Sequence, residues 1–249
     1  MKAEKNPSFQ ADALSHKLGA FLDVGSQEKT MLELLQGPQS FIGAGKEVVY
    51  EGQNNHAAYV LRKGWVCSYK RLRDGGRQIV DIQIPGDFLG LSSLLLRTSD
   101  QGFISLTEIE LAKINTNRLQ EVLQTTPRLA AALLWAVSRD QAIVVEHLVN
   151  IGRRDTMART AHFLLELHAR LSLVGLGTVD GYHCPLPQSV LADALGVTAI
   201  HLNRVLRQLR EDNLVIFRDS AITFLDRERL ARFAGFDLTY LDHKASLTD

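Results

Sequence analysis

Cysteine is scarce in this 249-residue chain: Cys67 and Cys184 are the only two, far apart. They make no disulfide framework, and an iron–sulfur cluster would need about four thiolates in close register. No apolar run approaches the roughly 20 residues that span a bilayer. Residues 1–10 are polar, with Lys2, Glu4 and Lys5, and do not read as a secretory signal. These absences predict a cytoplasmic protein without a membrane partner. Net charge is also missing, 28 basic residues facing 28 acidic ones. Any nucleic-acid binding must therefore rest on how charge is distributed. Lysine is absent from Ile114 to His243, where arginine stands alone. Arginine suits phosphate and guanine recognition, but a GC-rich genome gives the same bias. What is present is an ordinary globular composition, 45% hydrophobic, long enough for one large domain or two ordinary ones.

Residues 40–113 read as short strands between turn clusters, the pattern of an antiparallel roll. Expected strands cover residues 47–50, 58–61, 65–71, 78–84 and 105–114, with a helix opening near Asn117. Asp74-Gly75-Gly76 is a hairpin signal, because tight turns need residues that tolerate positive φ. Pro127 suits a first helical turn. From there Ala130, Leu133, Leu134, Val137, Gln141, Val144, Val145, Leu148 and Ile151 recur at helical spacing to near Gly152. So long an apolar stripe predicts pairing with a second copy.

Residues 153–173 read as another helix. On it His162, Glu166 and Arg170 step by four, a pattern expected of a solvated charge ladder and too poor in ligands for a metal. Residues 171–184 look irregular and glycine-rich. Residues 187–209 then meet the fixed offsets of a helix-turn-helix. Ala192 is the small crossing residue, and Gly196 the turn. Leu191, Leu195, Val197, Leu202 and Val205 plug the core, and Thr198 is the N-cap. Ala199, Ile200, Asn203, Arg204 and Arg207 face outward. Residues 214–225 form a hairpin wing with Arg218 at its tip, and 226–234 a closing helix.

Tyr50-Glu51-Gly52, residues 59–64, Asp74-Gly75-Gly76-Arg77 and the run Ile84-Pro85-Gly86-Asp87-Phe88-Leu89-Gly90, followed by this helix-turn-helix, resemble the Crp/Fnr regulators. The resemblance implies an α+β protein. Its parts would be a jelly-roll-like antiparallel β-roll sensor (residues 1–125), a dimerisation helix (126–152) and a winged helix-turn-helix (153–249). It implies a non-enzymatic regulator binding palindromic double-stranded DNA as a homodimer, with RNA polymerase as a partner if it activates. Arg204 stands where the family carries a base-reading arginine. Ile200 replaces a common glutamate, and His201 suits phosphate contact or packing. The expected DNA-contacting set is Thr198, Ala199, Ile200, His201, Asn203, Arg204, Arg207 and Arg218.

The family's cyclic-nucleotide groups are missing. Gly90-Leu91 replaces a Gly-Glu pair, and Ser99-Asp100 an Arg-Ser pair, with Arg97 two residues early. The residues thus argue against cyclic AMP as well as an iron–sulfur cluster. Haem stays open, since His16, His56 or His147 could each be an axial ligand. Cys67 reads as core. Cys184, just before the DNA-reading unit, is either an inert thiol or one whose oxidation would block DNA binding. Two rival classes are a ligand-binding module without a DNA role and a metal enzyme on the roll. The second has only His56, with Glu51 and Glu108, to build on.

Overall fold

A computed structural model describes residues 13–241. The export-signal reading of residues 1–10 and the last eight residues of the tail lie outside it. Two short helices, α1 (Ala13–Gly19) and α2 (Ser26–Leu35), precede the roll. The roll strands are β1 (Gln36–Ile42), β2 (Glu47–Val49), β3 (Tyr59–Lys63), β4 (Val66–Arg71), β5 (Arg77–Gln83), β6 (Phe88–Leu89), β7 (Gly102–Ser105) and β8 (Ile109–Ile114). They form two antiparallel sheets, ordered β1-β8-β3-β6 and β2-β7-β4-β5, around a core of Val49, Leu61, Val66, Leu89, Phe103 and Leu111.

Two expectations change here. Of the expected 105–114 strand only 109–114 is one strand, β8; Ser105 ends the separate β7, and across Leu106-Thr107-Glu108 the chain passes from one sheet to the other. β1 was not expected: the strand pattern reads only from residue 40, with its first strand at 47–50, and β1 carries Gly37-Pro38. Proline has no N–H for a ladder, and a register shift between Gln36 and Gln39 on this edge strand accommodates it.

Helix α3 (Thr116–Thr125) is capped by the Asn115 side chain, which accepts from the N–H groups of Asn117 and Arg118. Next comes α4 (Pro127–Arg153), 27 residues long with proline in its first turn. Its apolar positions divide between two faces. Leu129, Leu133, Ala136 and Ile143 are buried in the molecule, while Leu134, Val145, Leu148 and Ile151 face solvent. Asp155 caps α5 (Thr156–Leu173) by accepting from Met157 and Ala158.

The solvated-ladder reading of α5 is wrong. His162, Glu166 and Arg170 are buried, as is every residue from Ala161 to His168. The helix lies between the roll, α4 and the DNA-reading unit, so it has no wet face to spare. The irregular reading of residues 171–184 also needs correction, since β9 (Gly181–His183) pairs with β11 below. The backbone comes so close there that a Cβ on Gly181 would sit 1.9 Å from the Ile222 carbonyl oxygen. Helices α6 (Gln188–Leu195) and α7 (Ala199–Glu211) follow, then β10 (Val215–Arg218), β11 (Ala221–Phe224) and α8 (Arg227–Ala234). The small sheet is ordered β10-β11-β9. One continuous apolar core joins Trp65, Cys67, Ile79, Ile82 and Ile84 of the roll to the helices of the back half.

Candidate nucleic-acid interface and sensor cavity

The reading helix is positioned from inside. Gly196 ends α6 at φ 64°, a left-handed conformation that frees the chain to turn. The Thr198 hydroxyl then accepts from the His201 N–H at 3.2 Å and starts α7. Leu202, Val205 and Leu209 bury one side of α7. Ile200, His201, Asn203, Arg204 and Arg207 are left exposed on the other, with Ala199 half-buried at its first turn. Asn203 Nδ2 donates to its own helix at the Ala199 carbonyl, 3.0 Å away. Asp219 and Ser220, both at positive φ, make the wing turn. Beside it Arg218 is exposed and pairs only loosely with Asp219, at 3.4 Å. A shallow cleft of about 300 Å³ separates α7 from the wing. Gln188 and Arg210, not singled out in the sequence, line it beside Asn203 and Arg207. The set therefore makes one exposed face, rich in guanidinium groups and without a carboxylate among its α7 members.

Two arginines hold this unit to the rest of the chain. Arg159 donates to the Leu195 carbonyl at the end of α6 at 2.7 Å, and to the Ile151 and Arg154 carbonyls at 3.2 and 3.1 Å. Arg77, from the β4–β5 hairpin of the roll, donates twice to Asp193 Oδ2 on α6, at 3.2 and 3.1 Å. The first helix of the helix-turn-helix thus sits on the roll hairpin.

The deeper joint is a buried charge network. Arg170 of α5 is 2% exposed. It donates to Asp81 Oδ1 at 2.8 Å, Asp87 Oδ2 at 2.9 Å, the Ile82 carbonyl at 2.8 Å and Glu166 Oε1 at 3.4 Å. Glu166 also meets His147 Nε2 at 2.9 Å and accepts from the Tyr240 hydroxyl at 2.8 Å. Burial alone would lower the His147 pKa, but the Glu166 charge and hydrogen bond prevail and raise it to about 9. Burial alone would raise Glu166, but His147, Arg170 and Tyr240 hold it at about 2. Lys17 of α1 completes the network at 2.8 Å from Asp87 and 3.3 Å from Asp140. Asp81, His147 and Glu166 offer ligand atoms within 4.8 Å of one another. The Arg170 guanidinium already lies against both of those carboxylates, so the positive charge a metal would bring is in place.

Between the roll and α4 lies a cavity of about 490 Å³. Leu91 and Asp100 line it, as do Asp81, Asp87 and Asp140, while Lys70 is its one basic lining residue among the described residues. Arg97 is exposed and does not line it. Of the histidines, His56 is buried and bonded to the Ser93 carbonyl at 2.9 Å, and both His147 nitrogens are engaged, with Val80 and Glu166. His16 is exposed on α1. Cys67 is fully buried in the core. Cys184 is fully buried too, and burial pushes its thiol up to about 11. A protonated, enclosed thiol is a poor nucleophile, which favours its inert reading.

Residues 158–233 match the Crp-like helix-turn-helix domain, and residues 40–126 the cyclic nucleotide-binding domain. The nitrogen fixation regulation protein FixK of Rhizobium meliloti (strain 1021) is 31% identical over 71% of this chain and 77% of its own length. The protein of the same name from Bradyrhizobium diazoefficiens is 28% identical over 93% of this chain and 96% of its own. The solved structure of FixK2 from Bradyrhizobium japonicum superposes with a TM-score of 0.71 at 25% identity, covering 79% of this chain and 96% of that one. With a roll, a long helix and a winged helix-turn-helix in that order, and such relatives over most of its length, the chain belongs to the Crp/Fnr family of DNA-binding transcription regulators.

Proposed function

We propose that the chain works as a homodimer on a two-fold-related DNA site, one α7 in each of two successive major grooves about one turn apart. The observation that carries this reading is the solvent face of α4. Leu134 is 63% and Leu148 71% exposed there, with Val145 and Ile151 between and beyond them. A monomer leaves that row wet, whereas the same row of a second copy covers it and sets the two reading heads symmetrically. Residues 1–125, 126–152 and 153–249 then act as sensor, dimer helix and reading head.

In each half-site Arg204 reads guanine through O6 and N7, Asn203 reads adenine, and Ile200 packs on a thymine methyl. Thr198, Ala199, His201, Arg207 and Arg218 position the helix and wing against phosphates. The protein acts in the bacterial cytoplasm and contacts RNA polymerase where it activates. A signal at the roll changes how the α4 helices pair.

The test is selection of genomic fragments by the purified protein. It should recover an inverted repeat, and sedimentation should give a dimer. Recovering no consensus would sink the reading.

A further inference from the structure

We infer that the cavity between the roll and α4 binds a small amphipathic cation, an organic ammonium or guanidinium, in place of a cyclic nucleotide anion. This rests on the reading of the roll as the sensor. The volume of about 490 Å³ suits a small molecule. The walls decide its chemistry.

The lining carboxylates are Asp81, Asp87, Asp100 and Asp140. Against them stands Lys70, whose ammonium is already taken by the Glu51 carboxylate and the Asp100 carbonyl. Asp81 and Asp87 are held from behind by Arg170 and Lys17. Asp140 keeps only the longer 3.3 Å contact to Lys17, and its side chain is 36% exposed. Partial loss of hydration in the cavity wall pushes its carboxyl up, with Lys17 and Arg170 opposing and Asp87 and Asp81 adding to the rise. A cation brought to Asp140 offsets both its lost hydration and the nearby charges of Asp87 and Asp81.

A second, independent observation points the same way. Gln83 lines the cavity and is 7% exposed, yet its Oε1 has no hydrogen-bond partner among the described residues. Its Nε2 donates to Ser68 Oγ at 3.1 Å and to Asp81 Oδ2 at 3.4 Å. Flipping the amide would set oxygen against carboxylate, so the orphan is an acceptor. The Oε1 of Gln101, another lining residue, is also unpartnered. Two acceptors of this wall are thus without a donor, and a phosphate would bring only more acceptors. An ammonium brings three donors and a guanidinium five. Phe88, Leu91, Val137 and Val144 complete the lining and suit a hydrocarbon body.

Such a ligand also has a route to the DNA-reading unit. Asp81 and Asp87 are the carboxylates that hold Arg170, and Arg170 belongs to α5. A second cation at that wall competes for them and loosens the grip of α5 on the roll.

The test is calorimetric titration of the full-length protein with phenethylamine and with agmatine, against phenylacetate and cyclic AMP. At least one amine should bind saturably and neither anion should. Asp140→Asn should weaken the amine by about tenfold or more. Ser92→Lys, at an exposed lining position away from the buried pairs, should do the same without disturbing the fold. Tighter binding of either anion, no saturation by either amine up to about 10 mM, or wild-type amine affinity in both variants would overturn the inference. The selected DNA site supplies the separating arm. An amine that binds but leaves DNA affinity unchanged removes the sensor role and keeps the ligand class. Absent amine binding with intact DNA selection removes the ligand class alone.

Discussion

Arg204 is exposed on α7, so replacing it leaves the core of the reading head untouched. Arg204→Ala should relax selection at one base of each half-site, a loss of about 1–3 kcal/mol of discrimination there. Repeating the fragment selection with the variant checks this, and an unchanged consensus would mean that a different residue reads that base. Arg218→Ala should behave differently. Its expected partner is a phosphate, so binding should weaken evenly across sequences and the salt slope should flatten by about one. The buried pair of His147 and Glu166 makes a pH prediction. His147 is raised to about 9 when folded, so its contribution is full below its ordinary value near 6.5 and fades as pH climbs through 9. Glu166 is lowered to about 2, so its contribution is full above about 4.5 and fades as pH falls toward 2. His147→Gln should therefore lower the melting temperature most near pH 6 and progressively less above pH 8. A penalty independent of pH across that range would show that the His147–Glu166 charge pairing contributes nothing.

Elements were legible where one local rule governs them. The helix-turn-helix is fixed by contacts within some twenty residues, and Ala192, Gly196, Thr198 and Leu202 each carry a role that residue type alone discloses. The β4–β5 hairpin is legible for the same reason, through Asp74-Gly75-Gly76. β1 and β9 were not legible, because each contains glycine or proline and each exists only through a partner distant in sequence, β8 and β11. Helix α5 shows the limit of periodicity: Glu166 and Arg170 look like surface residues until Asp81, Asp87 and His147 arrive from other elements. On α4 the spacing is visible, but the division between Leu133 inside and Leu134 outside is not. Leu148→Glu tests the outer face. A carboxylate in a paired seam is buried without a partner, so sedimentation should show monomers and DNA affinity should fall by about tenfold or more. The monomer should keep its fold, since Leu148 is 71% exposed.

At the scale of the whole molecule, roll and reading head share structure that a two-domain division hides. Ile79, Ile82 and Ile84 of the roll belong to the same apolar core as Leu164, Leu191 and Leu202. Arg170 crosses the same boundary to three hydrogen-bonded partners in the roll, Asp81, Ile82 and Asp87, and Arg77 ties the roll hairpin to α6. Segments joined by a common core and a buried ion network should unfold together, because opening one exposes the other's unpaired charge and apolar surface. Calorimetry of the wild-type protein should thus give one transition whose calorimetric and van't Hoff enthalpies agree. Arg170→Ala leaves Asp81 and Asp87 short of their cation and opens a void in a fully buried wall. It should destabilise the chain by about 3–5 kcal/mol and split the single transition into two, with the reading head and the roll melting separately. Arg77→Ala, at a joint that is about one-third exposed, should lower stability much less and leave the transition single. Two resolved transitions already present in the wild-type protein would mean that the continuous core does not couple the halves. A signal in the roll would then have only the α4 pairing through which to reach the DNA.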